Sequence, residues 1–135
     1  MKIVLDVPWR GLPQKRHRLS RGRVYDPSSQ DKDRFLSCCR SIQPPMQHMH
    51  KKPLQCALTF TYLRPKSHCT ASGALRKNAP QHHVYTPDTD NLAKFVLDAL
   101  NGVYYKDDSQ ICQLIVRKQY GNVDRVVVEL QVCKD

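Results

Sequence analysis

Two short groups of aspartates carry the residue types best suited to chemistry. Asp88 and Asp90 stand in Pro87-Asp88-Thr89-Asp90-Asn91-Leu92-Ala93-Lys94, and Asp107 and Asp108 in Tyr105-Lys106-Asp107-Asp108-Ser109-Gln110. Asp88 and Asp90 lie two residues apart where loop gives way to a helical pattern, so an extended approach can send both carboxylates toward one ion. Lys94 follows Asp90 by four residues, one turn on and on the same face, where it can neutralise a carboxylate or sit beside a phosphate. Converging carboxylates repel one another unless a cation compensates them, and hard divalent cations prefer such oxygens. The chemistry within reach is phosphodiester hydrolysis, which needs an activated water and shielding of the charge that builds on oxygen. The same residues also read as a helix cap followed by a solvated turn, and spacing alone does not choose between the two.

Positioning these groups falls to the helix between them. Leu92, Phe95, Val96, Ala99 and Leu100 recur at three- and four-residue spacing, an amphipathic pattern capped by Thr89 or Asp90 and ended by Asn101-Gly102. Such a helix is about 15 Å long, and the segment 103–108 extends to about 20 Å, so the chain has the reach to return Asp108 to Asp88 and Asp90. Around it, alternation gives a first strand over 2–8, a basic loop over 9–23, a helix over 27–42 and a surface linker over 46–52. Further strands follow over 54–63, 111–118 and 125–132, with a long loop over 66–87 and a Gly121-Asn122 turn closing the last two strands as a hairpin. The expected fold is α+β, a single domain over 1–135 in β-α-β-α-β-β order, with two helices packed on one mixed sheet. Trp9 reads as a core anchor or a stacking residue, the core being preferred, and Asp98 as structural or as a support for the site, the structural role being preferred.

The net charge of +10 is unevenly spread: residues 1–80 carry 16 Lys or Arg against 4 Asp or Glu, and residues 81–135 carry 6 against 8. A basic half beside an acidic cluster suits a protein that attracts a polyanion and works on it with metal-held carboxylates. Arg10, Lys15, Arg16, Arg18, Arg21 and Arg23 in the first loop, with Lys66, Arg76 and Lys77 in the long one, are the candidate phosphate contacts. His17, His68, His82 and His83 fit a surface or DNA-facing role better than metal ligation. The six cysteines include no CxxC pair, and Cys38, Cys39, His48 and His50 do not have standard zinc spacing. No apolar run approaches the roughly 18 residues of a membrane span. The expected setting is cytoplasmic or otherwise intracellular, in a cell, a virus or a prophage.

The run from Pro87 to Gly102, followed by Tyr105-Lys106-Asp107-Asp108-Ser109-Gln110-Ile111, resembles the signature of the RusA family of Holliday junction resolvases. The likeness extends to a first strand ending Val7-Pro8, a basic loop, and Arg64-Pro65-Lys66-Ser67-His68 after the second strand. The resemblance implies a homodimer that binds four-way branched DNA and makes paired symmetric nicks with Mg²⁺, Mn²⁺ being a substitute. It implies Asp88, Asp90 and Asp108 as metal ligands and Lys94 as the catalytic lysine, with Asn91 and Asp107 as supporting residues. The alternative is a protein that binds junctions or other nucleic acid without cutting. Segments 66–87 and 43–52 depart from the shorter family members, so no cutting preference carries over.

Overall fold

Alternating burial sets the strands of this protein on one core. The computed structural model describes residues 1–134, apart from the side chain of His48. In chain order the elements are β1 (Lys2–Val7), β2 (Arg18–Ser20), β3 (Arg23–Tyr25), α1 (Ser29–Ile42), β4 (Leu54–Leu63), α2 (Thr89–Leu100), β5 (Ile111–Gly121) and β6 (Arg125–Val132). Short 3-10 turns cover Gln47–Met49, Lys66–His68 and Asp108–Gln110. The main sheet has the order β1-β6-β4-β5, antiparallel except for the parallel pair β4–β5. A parallel pair requires a crossover, and α2 supplies it. This is the expected α+β domain of two helices on a mixed sheet, with the small hairpin β2–β3 added.

Ile3, Leu5 and Val7 of β1, Leu54, Cys56, Leu58, Phe60 and Tyr62 of β4, and Val126, Val128 and Leu130 of β6 are buried in the core beneath the helices. From α2 come Leu92, Phe95, Val96, Ala99 and Leu100, the stripe that the periodicity predicts. Each fully buried Leu, Val or Phe contributes about 1.5–3 kcal/mol. Trp9 anchors the core as expected, edge-on to Phe35 at 5.6 Å, while Phe35 meets Phe95 at 6.1 Å. The chain after β1 lies tight on β4. Tyr62 donates its hydroxyl proton to the Gly11 carbonyl at 3.1 Å, and a Cβ on Gly11 would come within 2.8 Å of Phe60 and Tyr62.

Three expectations are corrected. The last two strands do not form a hairpin, because β4 lies between β5 and β6. Their link arches over the end of β4, held by Leu63 N–H to an Asp124 carboxylate oxygen at 2.8 Å and Arg64 N–H to the Gly121 carbonyl at 3.0 Å. The basic loop is in part a β-hairpin. The 46–52 linker is not all surface, since Met49 is fully buried and its carbonyl accepts from the Gln110 side chain at 3.0 Å. Cys38, Cys39, Cys56, Cys69 and Cys112 are free thiols, and burial pushes Cys39 and Cys56 up to about 12. No helix among the described residues is long and apolar enough to cross a membrane.

Asp26 links the hairpin to both helices. Lys32 of α1 bonds its carboxylate at 2.7 Å and reaches Asp98 of α2 at 3.4 Å, which gives Asp98 the structural role expected of it. Burial alone would raise the Asp26 carboxyl, but bonds from Lys32, the Ser28 N–H and Gln14 outweigh it and lower it from 3.8 to about 2. A carboxyl depressed on folding adds stability above its unfolded value and loses it as pH falls toward the folded one. The Asp26 contribution, about 2 kcal/mol, is therefore expected to be intact at pH 5 and to fade between pH 4 and 2. In urea unfolding, the gap in stability between the wild type and Asp26→Asn should close over that interval; a gap independent of pH would contradict it.

Candidate active site

The first aspartate group lies at the start of α2. Asp88 occupies the N-cap position yet makes no side-chain cap bond, so its carboxylate is not spent on the helix. Asp90 is in the first turn and accepts the Asn91 N–H at 2.9 Å. The cap is thus Asp88 rather than Thr89 or Asp90. Asp88, Asp90, Asn91 and Lys94 are all exposed, and the positive end of the helix favours the two carboxylates. Among the described residues Lys94 forms no ion pair with either. Asn91 also ties the site to the basic loop, its carbonyl accepting the Gln14 N–H at 3.1 Å. A cleft of about 270 Å³ opens between Pro13, Thr86, Pro87, Asp88 and Asn91.

Lys118 of β5 belongs to this site, and the sequence reading missed it. Its ammonium donates to the Tyr85 carbonyl at 2.6 Å and the Pro87 carbonyl at 2.8 Å, fixing the backbone that leads into Asp88. The Thr86–Pro87 bond there is cis. Just upstream, His82 bridges to Gln119 and the Gln81 carbonyl accepts the Tyr120 N–H, so the long loop lies along the β5 edge. His83 stacks on Tyr62 at 4.4 Å and packs near Tyr120 and Tyr85. Burial first, then Lys118 and Arg10, pulls the His83 pKa down. His83 is half-buried among aromatic rings rather than freely exposed.

The second group lies at the far end of α2. The Asp108 N–H donates to Asn101 Oδ1 at 3.0 Å, and Asn101 is the C-cap of the helix. Asp107 is the cap of the following 3-10 turn and accepts from Ser109 Oγ at 2.6 Å, a bond that draws its carboxyl down. Gln110 closes the turn by accepting the Lys106 and Asp107 N–H groups while donating to Met49 and Lys52 carbonyls. Asp107 is thus occupied locally, whereas Asp108 is exposed.

The two groups do not meet in one chain. The 12 residues of α2 put about 18 Å between its ends. Along β5 the interval from Ile111, three residues after Asp108, to Lys118 beside Pro87 is about 23 Å. Among the described residues no three His, Cys, Asp or Glu side chains are grouped as a metal site. Asp88 and Asp90 alone suit a hard cation, since Mg²⁺ commonly takes one or two carboxylates with water and phosphate oxygens.

Of the candidate phosphate contacts, those of the basic loop are tied to the first group through the Gln14–Asn91 bond. Arg10 lies over the Tyr62 ring at 5.1 Å and pairs with Asp124 at 3.2 Å, so it is partly committed. Lys15 and Arg16 are exposed at the foot of the β2–β3 hairpin, and Arg18, Arg21 and Arg23 are exposed along it. Lys66 and Arg76 line a groove of about 610 Å³ with Arg64, which was not foreseen, and Lys77 is exposed beside Arg76.

Comparison with known proteins places the chain in a family. A Bacillus subtilis (strain 168) protein named "Uncharacterized protein YqaN" is 51% identical over 45 residues, a segment that covers 33% of this chain and 32% of that protein. A family profile described as "Endodeoxyribonuclease RusA" matches residues 8–131, a span that takes in β4, β5, nearly all of β6, both helices and both aspartate groups. The chain belongs to the RusA endodeoxyribonuclease family.

Proposed function

We propose that the chain is a Mg²⁺-dependent endonuclease that cuts four-way DNA junctions by paired symmetric nicks, working as a homodimer. The observation that carries this reading is the exposed Asp88–Asp90 pair at the head of α2, with no side-chain cap bond at Asp88 and with the basic loop tied beside it at Asn91, in a chain of this nuclease family. Asp88 and Asp90 would hold the cation, which when bound supplies an activated water and shields charge on the phosphate. Lys94, one turn along the same face, is suited to neutralise the phosphate oxygens, and Lys118 holds the Tyr85–Pro87 backbone that aims Asp88. Mn²⁺ offers similar oxygen coordination as a substitute.

Asp108 enters this reading from a second copy of the chain. About 18 Å of helix separates it from Asp88 within one chain, while Asp88, Asp90 and Asp108 are each exposed. A two-fold dimer that sets the start of one α2 against the Asp108 turn of the other yields two equivalent sites, as two symmetric nicks require. A second reading, a protein that binds junctions without cutting, draws on the lack of a three-carboxylate group among the described residues.

The deciding experiment compares nicking of a labelled immobile four-way junction and a matched duplex, in Mg²⁺ and in EDTA. Metal-dependent, paired nicking of the junction supports the endonuclease; junction binding with no nicking in Mg²⁺ or Mn²⁺ supports the second reading. In the same assay, Lys118→Met is expected to raise the Mg²⁺ concentration for half-maximal nicking about tenfold, the scale set by loss of groups that orient metal ligands. Lys118→Arg should recover part of that loss. An unchanged Mg²⁺ dependence in Lys118→Met would remove Lys118 from the site.

A further inference from the structure

Among the described residues the β2–β3 hairpin pairs with no other strand, and all six of its strand residues are exposed. Its register sets Leu19 opposite Val24 on one face and Arg18 opposite Tyr25, with Ser20 opposite Arg23, on the other. Leu19 and Val24 are each 71% exposed, an apolar pair held out in water. Arg21 (φ 52°) and Gly22 (φ 76°) form the tip, the pair of positive φ values of a type I′ turn, whose twist matches that of the strands.

An isolated two-stranded hairpin is marginal in water, so its rigidity rests on its root. Lys15 N–H donates to Ser28 Oγ at 3.0 Å, and the Gln14 side chain donates to Asp26 Oδ1 at 2.9 Å, next to the Lys32 ion pair. Gln14 N–H bonds the Asn91 carbonyl, one residue from Asp90. The arm therefore springs from the edge of the candidate active site.

We propose that this hairpin is a wedge for the branch point: its arginines grip phosphates while Leu19 and Val24 lie against bases that have lost their stacking partner. The inference rests on the reading above that the chain acts on branched DNA. Charge selects the occupant. Arg16, Arg18, Arg21 and Arg23 stand in a stretch from residue 7 to 25 that has no acid. Two copies of such an arm laid against one another would repel, whereas a polyanion is attracted. Shape selects the place on that polyanion. A continuous duplex keeps its base faces stacked, but a branch point interrupts the stack and leaves apolar base surface for side chains to cover, as apolar wedges do at kinked steps. The arm would then discriminate branched from linear DNA without reading sequence.

The test uses the full chain in EDTA, where no cutting occurs, with 2-aminopurine at the branch of an immobile junction and at the matching place in a duplex. Binding by the wild type should raise emission several-fold on the junction and not on the duplex. Leu19→Ser/Val24→Ser, which leaves the core untouched, should bind the junction within about threefold but leave emission at its free value. Replacing Arg18, Arg21 and Arg23 by Gln should weaken binding and lower the salt slope by about 2.7, at about 0.9 per phosphate contact. A wild type that nicks junctions without raising emission overturns the wedge alone. So does a double serine variant that opens the branch normally, or one that sediments as a monomer where the wild type is a dimer, since the face would then belong to a second copy. A wild type with neither junction preference nor metal-dependent nicking overturns the endonuclease reading and the wedge with it.

Discussion

Asp90→Asn is expected to slow junction nicking by about 10³-fold, some 4 kcal/mol of barrier, while junction affinity stays the same or rises. The amide has nearly the shape of the carboxylate, so α2 should fold as before, and the Asn91 N–H keeps an oxygen acceptor. On the proposed reading, what disappears is one negative oxygen ligand for a hard cation, beside the carboxylate of Asp88. Affinity moves the other way because a negative charge that faced the phosphates is gone. Single-turnover nicking across a Mg²⁺ titration, with binding measured in EDTA, separates the two effects. If the variant nicked at the wild-type rate, Asp90 would be a first-turn residue favoured only by the helix dipole, and the metal site would have to be sought elsewhere.

Mixed dimers carry the second large effect. Asp90→Asn and Asp108→Asn proteins, each inactive alone, are expected to recover nicking when unfolded together and refolded as a mixture. If each site draws Asp88 and Asp90 from one copy and Asp108 from the other, a mixed dimer has one site with both substitutions and one with none. It should therefore nick one strand of the junction, at a rate set by the fraction of mixed dimers, and leave the opposite strand uncut. Sites built within one chain would each carry one lesion, so no recovery would follow. Recovery with nicks in both strands would contradict the shared arrangement as well, because only one intact site is available.

Much of the framework is legible in the residues. α2 is marked by five apolar positions at helical spacing, all of which are buried, and its start is legible to within a residue or two, the cap falling at Asp88 and not at Thr89 or Asp90. β1 and β6 alternate cleanly because one face of each is solvent-exposed. The β2–β3 hairpin escapes notice because strands of three residues are too short to show a period, and Arg21-Gly22 is not the Asn-Gly or Asp-Gly pair that announces such turns. The order of the last strands is hidden for a different reason. A link of three residues usually joins hydrogen-bonded neighbours, and only the tertiary contacts of Asp124 and Gly121 with the end of β4 show it crossing another strand. Lys118 reads in sequence as one more solvated lysine, since its partners are backbone carbonyls more than thirty residues away. The distance to Asp108 is likewise out of reach of chain-length arguments: the segment is long enough to return along α2, and it is the Asn101 side chain that keeps it at the far end.

The placement of β6 has a consequence for how the chain comes into being. β6 lies between β1 and β4 and pairs with both, yet it is the last of the described strands to be synthesised. Until residues 125–132 have emerged, β1 has no neighbour in the sheet and β4 has one open edge. The nascent chain must therefore keep β1 and an edge of β4 unpaired until β6 is made, a state prone to mispairing. Closing the sheet joins residues about 120 apart, a non-local step of the kind that slows folding. A DNA-cutting activity that needs this sheet would thus arise only after β6 has been made, and no translation product ending before β6 would carry it.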